Sequence, residues 1–173
     1  MDLSLNDFKG RVGLGTRPNR YLVDMSIPNS SYTMKAEVSA LSLPDSTVPA
    51  IQIPFRGRIL KVPGDRRYGS WAFTVYDTIE EGNLWRELHA WSERINEHVS
   101  NKTPFEYEDG NTPDTAVWTI EHYDLNGEGN PLKKVQLINC WPSSIGSFDL
   151  ATGMMDTLAQ FSVQIEYEYF KIL

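Results

Sequence analysis

The chain has 173 residues, 40% of them hydrophobic and 12% aromatic, with 23 acidic against 16 basic side chains and a formal charge of −7. That length gives one domain whose core needs no disulfide or metal, and the composition excludes a disordered chain. No apolar run approaches the roughly 20 residues of a membrane helix, residues 1–20 lack the continuous apolar stretch of a secretory signal, and the net negative charge argues against a protein that grips DNA.

In chain order, residues 1–16 show no clean hydrophobic period and are expected to form a flexible arm that orders against a partner. Tyr21, Val23, Met25 and Ile27 alternate with Leu22, Asp24 and Ser26 up to a Pro28-Asn29 turn, and Met34, Ala36 and Val38 repeat the pattern. A loop over residues 42–49 leads to Ile51, Ile53 and Phe55, then to a strand over 58–62 and the turn signal Pro63-Gly64-Asp65. Trp71 to Tyr76 is apolar on both faces, as in a strand covered on both sides. Thr78 and Glu81 have capping-box spacing, and Leu84, Leu88, Trp91, Ile95 and Val99 form one apolar stripe along a helix of about five turns. After a polar connection over 100–115, residues 117–123 and 132–141 read as a hairpin around Asn126-Gly127. Finally Ala159, Phe161, Val163, Ile165, Tyr167 and Tyr169 alternate against Gln160, Ser162, Gln164, Glu166 and Glu168, which predicts one long strand with a wholly polar face. Seven or eight strands and one helix predict a mainly β fold, an antiparallel sandwich or barrel with the amphipathic helix packed on it, as a single domain over 1–173.

The charge is unevenly distributed. Residues 1–76 hold ten bases and six acids, a net of +4; residues 77–128 hold three bases and thirteen acids, a net of −10. Residues 129–173 are nearly balanced, with three bases and four acids. Such asymmetry steers head-to-tail association, and equally describes a solvated acidic helix beside a mildly basic sheet.

Chemistry is mostly missing. His89 and His98 are nine residues apart, which at 100° per residue puts them on opposite helix faces, and His122 has no histidine at metal-ligand spacing. Cys140 is the sole cysteine, so no intrachain disulfide is possible, a usage that fits a reducing cytoplasm. It lacks a CxxC partner and reads as a packed strand residue. Asp124, Asn126, Glu128 and Gly129 begin like a calcium loop, but Val135 stands where the bidentate glutamate belongs, so a hairpin turn is favoured. Gly10, Gly13 and Gly15 make no dinucleotide fingerprint, and Glu80/Glu81 and Glu106/Glu108 read as solvated acids. No catalytic constellation, metal site or cofactor site is expected.

Three stretches resemble the tail tube proteins of contractile-tailed bacteriophages. The first is Arg17-Pro18-Asn19-Arg20-Tyr21-Leu22-Val23. The second runs from Ile59 to Thr78 and carries Pro63-Gly64-Asp65-Arg66, Trp71, Thr74-Val75 and Asp77. The third is Cys140-Trp141-Pro142-Ser143, continuing through Ile145-Gly146 to the final strand. The resemblance spans about residues 17–170, shared with the tubes of tailocins and type VI secretion. It implies a virion structural protein: a major tail tube subunit that closes into hexameric rings by joining sheets into one β-barrel. The rings would stack into the inner tube within a contractile sheath, extend from a baseplate initiator, and pass the tape-measure protein and then the genome. The localisation implied is the virion tail, after synthesis in the host cytoplasm. Related readings are a baseplate initiator, a terminator or a secreted tube; outside the class, a monomeric β-barrel binding a small ligand shares the strands and helix.

Candidate positions follow. A basic lumen would hold phosphates, whereas Glu, Gln and Ser keep a polyanion hydrated, so Glu37, Ser39, Gln52, Gln164 and Glu166 are candidates for the channel wall. Phe8, Arg11, Asp45, Val48, Arg66 and Arg67 are candidates for contacts between subunits or rings. Glu87, Glu93 and Glu97 are candidates for an acidic face against the sheath.

Overall fold

The computed structural model describes Leu5, Lys9, Gly10 and residues 16–30, 33–34, 38–77, 83–100, 115–123, 131–147 and 150–173. Among these the strands are β1 (Tyr21–Ser26), β2 (Thr33–Met34), β3 (Val38–Leu41), β4 (Ser46–Thr47), β5 (Ala50–Phe55) and β6 (Arg58–Pro63). Then come β7 (Arg67–Tyr68), β8 (Trp71–Tyr76), helix α1 (Leu84–Ile95), β9 (Ala116–His122), β10 (Lys133–Ile145), β11 (Gln160–Glu166) and β12 (Tyr169–Ile172). Eight strands form one antiparallel sheet in the order β2-β1-β9-β10-β11-β8-β3, with β12 also on β10. The expected hairpin of the middle region is β9–β10; its turn residues, with the calcium-like sequence, lie outside the described residues, as do Ala36 and Glu37.

The sheet folds over on itself. β10 is 13 residues long and its first part lies between β9 and β12, whereas Trp141 to Ile145 pairs with β11. Between these parts the register slips after Leu137, and Asn139 takes φ 54°, a left-handed conformation in which asparagine is tolerated. This bulge divides the sheet into two facing halves, β1–β9–β10–β12 and β10–β11–β8–β3. Alternate residues of each point inward: Val23, Met25, Trp118, Ile120, Val135 and Leu137 from the first half, Trp71, Phe73, Val75, Phe161, Val163 and Ile165 from the second, all buried. Trp118 sits edge-on to Trp71 at 6.3 Å and to Phe73 at 6.1 Å across the interface. At about 25 cal/mol per Å² these aromatics dominate the burial energy.

The last strand departs from the expected single run. β11 stops at Glu166, and β12 begins at Tyr169 on the other half, opposite Ile138 to Val135. The chain turns this corner because β10 does: Glu168 N–H donates to Ile138 O at 3.0 Å, and Asn139 Nδ2 donates to Glu168 Oε2 at 2.5 Å. Tyr167 is buried at the corner with its ring 6.1 Å from Tyr68.

Helix α1 also begins later than the capping-box spacing predicts. Asn83 is the N-cap, its side-chain oxygen accepting from Trp85 N–H at 2.8 Å, while Thr78 and Glu81 lie outside the described residues. Leu84, Leu88 and Trp91 are buried, with Trp91 5.8 Å from Trp118. Val99, placed on that stripe by its spacing, is 94% exposed, because the helix ends at Ile95 and Asn96 turns extended.

Strands β5 and β6 belong to neither half. Among the described residues they pair only with each other, from Ala50↔Pro63 to Phe55↔Arg58, and stand on a two-rung stem of β4 and β7. The stem takes in Ser46 and Thr47 of the loop expected at 42–49.

Candidate assembly surfaces

The half-sheet β10–β11–β8–β3 has an unusual outer face. Gln160, Ser162, Gln164 and Glu166 project from β11, and opposite them stand Tyr76, Thr74 and Ala72 of β8 and Ser144 and Trp141 of β10. The exposed side chains are amides, hydroxyls, a methyl and one indole; the sole ionisable acid, Glu166, is half-buried at one end. The polar groups are partly tied to one another: Gln164 Nε2 donates to Ser70 Oγ at 2.6 Å, and Ser143 Oγ to the Gln164 carbonyl at 3.1 Å. Ser39 sits in the β3 bulge and donates to Thr74 O at 3.3 Å. The other half-sheet differs, carrying the ion pair Lys134–Glu121 at 2.8 Å.

Of the residues expected at a channel wall, the structure brings Ser39, Gln164 and Glu166 onto one half-sheet. Gln52 lies apart, on the free-standing hairpin opposite Lys61, and Glu37 lies outside the described residues. Among the described residues this face is therefore uncharged apart from Glu166, where the sequence suggests a mixture of Glu, Gln and Ser.

Among the described residues both margins of this half-sheet lack a further strand. β3 pairs with β8 on one side only, and residues 141–145 of β10 pair with β11 on one side while β9 ends at Ala116 opposite Cys140. Beside β3 a groove of about 490 Å³ separates it from β1, lined by Pro18, Asn19, Tyr21, Val23, Val38 and Leu41. Tyr21 bridges it, donating to Val38 O at 2.9 Å. Unpaired strand edges invite a further strand.

The hairpin is the second surface. Its turn, Arg56-Gly57, has φ 44° and 79°, the two positive values of a type I′ turn that matches strand twist. One face carries Ile51, Ile53 and Phe55 opposite Val62, Leu60 and Arg58; the other carries Ala50, Gln52 and Pro54 opposite Pro63, Lys61 and Ile59. Ile51, Ile53, Phe55, Ile59 and Leu60 are 44–65% exposed. A lone two-stranded hairpin is marginal in water, and this one leaves an apolar face uncovered.

Its base is well built. Gly64 N–H donates to Pro49 O at 2.7 Å, and a Cβ there would meet that oxygen at 2.8 Å. Glycine is required at 64 by this close approach rather than by the positive φ the turn signal suggests; among the described glycines only Gly57 has one. Arg66 Nη1 donates to Ser46 Oγ at 2.8 Å, and Arg67 pairs with Thr47 in the ladder. Asp45, through its carbonyl, accepts from Tyr167 O–H at 3.5 Å. Asp45, Val48, Arg66 and Arg67 thus converge on the stem, whereas Phe8 and Arg11 lie outside the described residues. The hairpin's exposure is what sequence pattern missed; two apolar runs separated by just Arg56 and Gly57 were the signal for its turn.

The remaining candidates scatter. Trp71 is a core residue whose Nε1 donates to Ser42 O at 2.6 Å, Pro142 is buried, and Trp141 is on the outer face. Arg17 offers its carbonyl to His122 Nε2 at 2.9 Å. Glu87 and Glu93 are on α1, but Glu97 lies beyond its end, accepting from Ser100. His89 leans on Trp85 at 4.3 Å, and among the described residues no group of three His, Cys, Asp or Glu converges for a metal. Burial pushes the Cys140 thiol up to about 12, far from a thiolate at neutral pH. Burial and then the charge of Asp45 push Tyr167 up to about 12.

An antiparallel sheet folded into two facing halves, with strand margins unpaired among the described residues and an exposed apolar hairpin, has surfaces suited to association. The phage tail tube protein family matches residues 16–173, and the chain belongs to that family. The tail tube protein of Serratia phage KSP90 is 26% identical over 173 residues, covering 95% of this chain and 94% of that protein. Among solved structures, a chain of the anti-feeding prophage baseplate superposes with a TM-score of 0.69 at 16% identity, covering 92% of this chain and 95% of its own. A chain of the sheath–tube complex of an extracellular contractile injection system in its extended state gives 0.62 at 17% identity, with 99% of each covered. The protein is thus a tail tube subunit, a structural component of a virion tail, and its relatives are structural proteins rather than enzymes.

Proposed function

We propose that six copies close into a ring by pairing β3 of each subunit with residues 141–145 of the next. The observation that carries this is the direction of the strands. Across the half-sheet the strands alternate as residues 141–145, β11, β8 and β3, and each printed pairing is antiparallel. A neighbour related by rotation, with the same orientation, presents its residues 141–145 antiparallel to β3, so the alternation continues without a break. Four strands from each of six copies give a closed barrel of about 24 strands with no free edge. The outer face, uncharged among the described residues apart from Glu166, then lines the channel. A wall of amides and hydroxyls offers no cation to hold phosphates, which supports passage of DNA, and before it a tape-measure polypeptide, without specific binding.

Rings stacked along the channel axis form the tube inside a contractile sheath, extended from a baseplate initiator. The relative found in a sheath–tube complex supports the sheath as partner, and Glu87 and Glu93 are the acidic positions on α1 available to a basic sheath segment. The hairpin supplies an apolar surface for contact between rings. Electron microscopy of the purified protein tests the reading: six-fold rings or tubes are expected. A strictly monomeric species at millimolar concentration would overturn it and favour the small-ligand barrel, for which the 490 Å³ groove is the candidate pocket.

A further inference from the structure

The connection from β10 to β11 carries a second group of exposed apolar side chains. Leu150, Met154, Met155 and Leu158 are 85, 59, 77 and 70% exposed. A turn folds this connection, Met154 N–H donating to Ala151 O at 3.1 Å, with Asp156 at φ 64°. Methionine suits a surface that must adapt to a partner, because its thioether is polarizable and its chain unbranched.

The position of this cluster is set by its anchors. It leaves β10 at Gly146, whose N–H donates to Ser162 O at 2.7 Å, and returns at Ala159, whose carbonyl accepts from Asp77 N–H at 2.9 Å. That is the end of the half-sheet where β8 finishes and β11 starts, with Gln160 opposite Tyr76. The hairpin leaves from the opposite end, between Leu41 at the close of β3 and Trp71 at the start of β8. Six residues of β8, roughly 20 Å at 3.3 Å per residue, separate the two ends. A subunit therefore carries an uncovered hairpin at one end of its strands and an uncovered methionine cluster at the other. The signs of charge also match: the hairpin carries Arg56, Arg58 and Lys61 with no acid between residues 46 and 64, and residues 150–159 carry Asp156 and no base.

We propose that the methionine cluster is the receiving site for the hairpin of a second copy of this chain, in the next ring. Ile51, Ile53, Phe55 and Leu60 pack on Leu150, Met154, Met155 and Leu158, with the arginines of the turn beside Asp156. Such a contact is heterologous: displacement along the strand direction joins one end of each copy to the other end of the next, and repeats without limit. It rests on the ring reading above and specifies which surface accepts the hairpin.

The test uses the full chain with Phe55→Cys and Met155→Cys combined, oxidised after assembly. The expected result is a ladder of covalent multimers on a non-reducing denaturing gel, with several rungs beyond the dimer. Each single variant gives none beyond the dimer, and buried Cys140 does not contribute. Tubes visible by microscopy without a ladder would overturn the contact while leaving the ring reading intact; failure of the unsubstituted chain to form rings or tubes removes both. As a second measurement, Met154→Asp with Met155→Asp should leave rings intact and raise the concentration needed for tube growth about tenfold or more, a cost of about 1.4 kcal/mol per subunit. Unchanged growth would overturn the proposal.

Discussion

β8 and β5 are each six residues long and each alternates bulky apolar side chains, yet they meet opposite fates. Trp71, Phe73 and Val75 of β8 are 0–3% exposed, while Ile51, Ile53 and Phe55 of β5 are 44–65% exposed. Nothing in the side chains separates them; what differs is what lies opposite. β8 sits between β11 and β3, its inner face against Trp118, and β5 has only β6. Apolar alternation states that a face needs cover, and leaves open whether the cover comes from the same chain or another. In a subunit designed for a polymer the second answer is as physical as the first.

The comparison breaks most sharply under substitution. Trp118→Ala removes the side chain that touches Trp71, Phe73 and Trp91, and should cost about 3–5 kcal/mol, enough to lose most of the stability of a single domain, measured by denaturant unfolding. Ile53→Ser combined with Leu60→Ser, a cross-strand pair on the hairpin, should move the same midpoint by less than about 0.5 kcal/mol yet abolish tubes under the microscope. If the hairpin pair proves as costly to the isolated subunit as Trp118→Ala, the hairpin packs on its own body and the distinction fails.

The same contrast decides what was legible in the sequence. Alternation located β11 and a hairpin pattern located β9 and β10, whereas β8 reads as a strand covered on both sides and the structure covers one face alone, burying Trp71, Phe73 and Val75 and leaving Ala72 exposed. The corner at Tyr167 was not legible. Alternation runs on through Tyr167 and Tyr169 while the chain changes partners, and the cause is a bulge at Asn139 in a different strand. The make-up of the candidate wall was half legible: Gln164 and Ser162 alternate on β11, but Ala72, Thr74 and Ser144 join them only through pairing across the half-sheet. The helix start was not legible: the capping-box spacing of Thr78 and Glu81 pointed upstream, whereas the N-cap is Asn83, directly before Leu84.

A finer probe asks whether the hairpin folds independently of the body. Gly57 has φ 79°, so Gly57→Ala places a Cβ where left-handed backbone costs about 1–2 kcal/mol. Hydrogen exchange should quicken at the amides of β5 and β6 while those of β8 and β11 stay protected, and the global unfolding midpoint should hold. Arg56→Asn, which suits the first position of a type I′ turn, should slow exchange in the hairpin instead. Equal quickening in β8 would mean that hairpin and body open as one unit.

The smallest effect concerns the charged half-sheet. The carboxyl of Glu121 is held below its ordinary value, first by the hydrogen bond from Lys134 and then by that from Tyr123, against a smaller opposing effect of burial. A carboxyl depressed in the folded state adds stability above its unfolded pKa, and that stability is lost as pH falls through the unfolded and then the folded value. Lys134→Met should therefore lower stability at pH 7 and leave it unchanged once the solution is acidic enough to protonate Glu121 in both proteins. The difference at pH 7 should stay under about 1 kcal/mol, since the Lys134 side chain is 38% exposed and solvent screens the pair. Denaturant midpoints of both proteins at the two pH values measure it. A difference that persists in acid would assign the effect to packing of the lysine stem, and the charged half-sheet would then owe its stability to apolar contact, as the other half does.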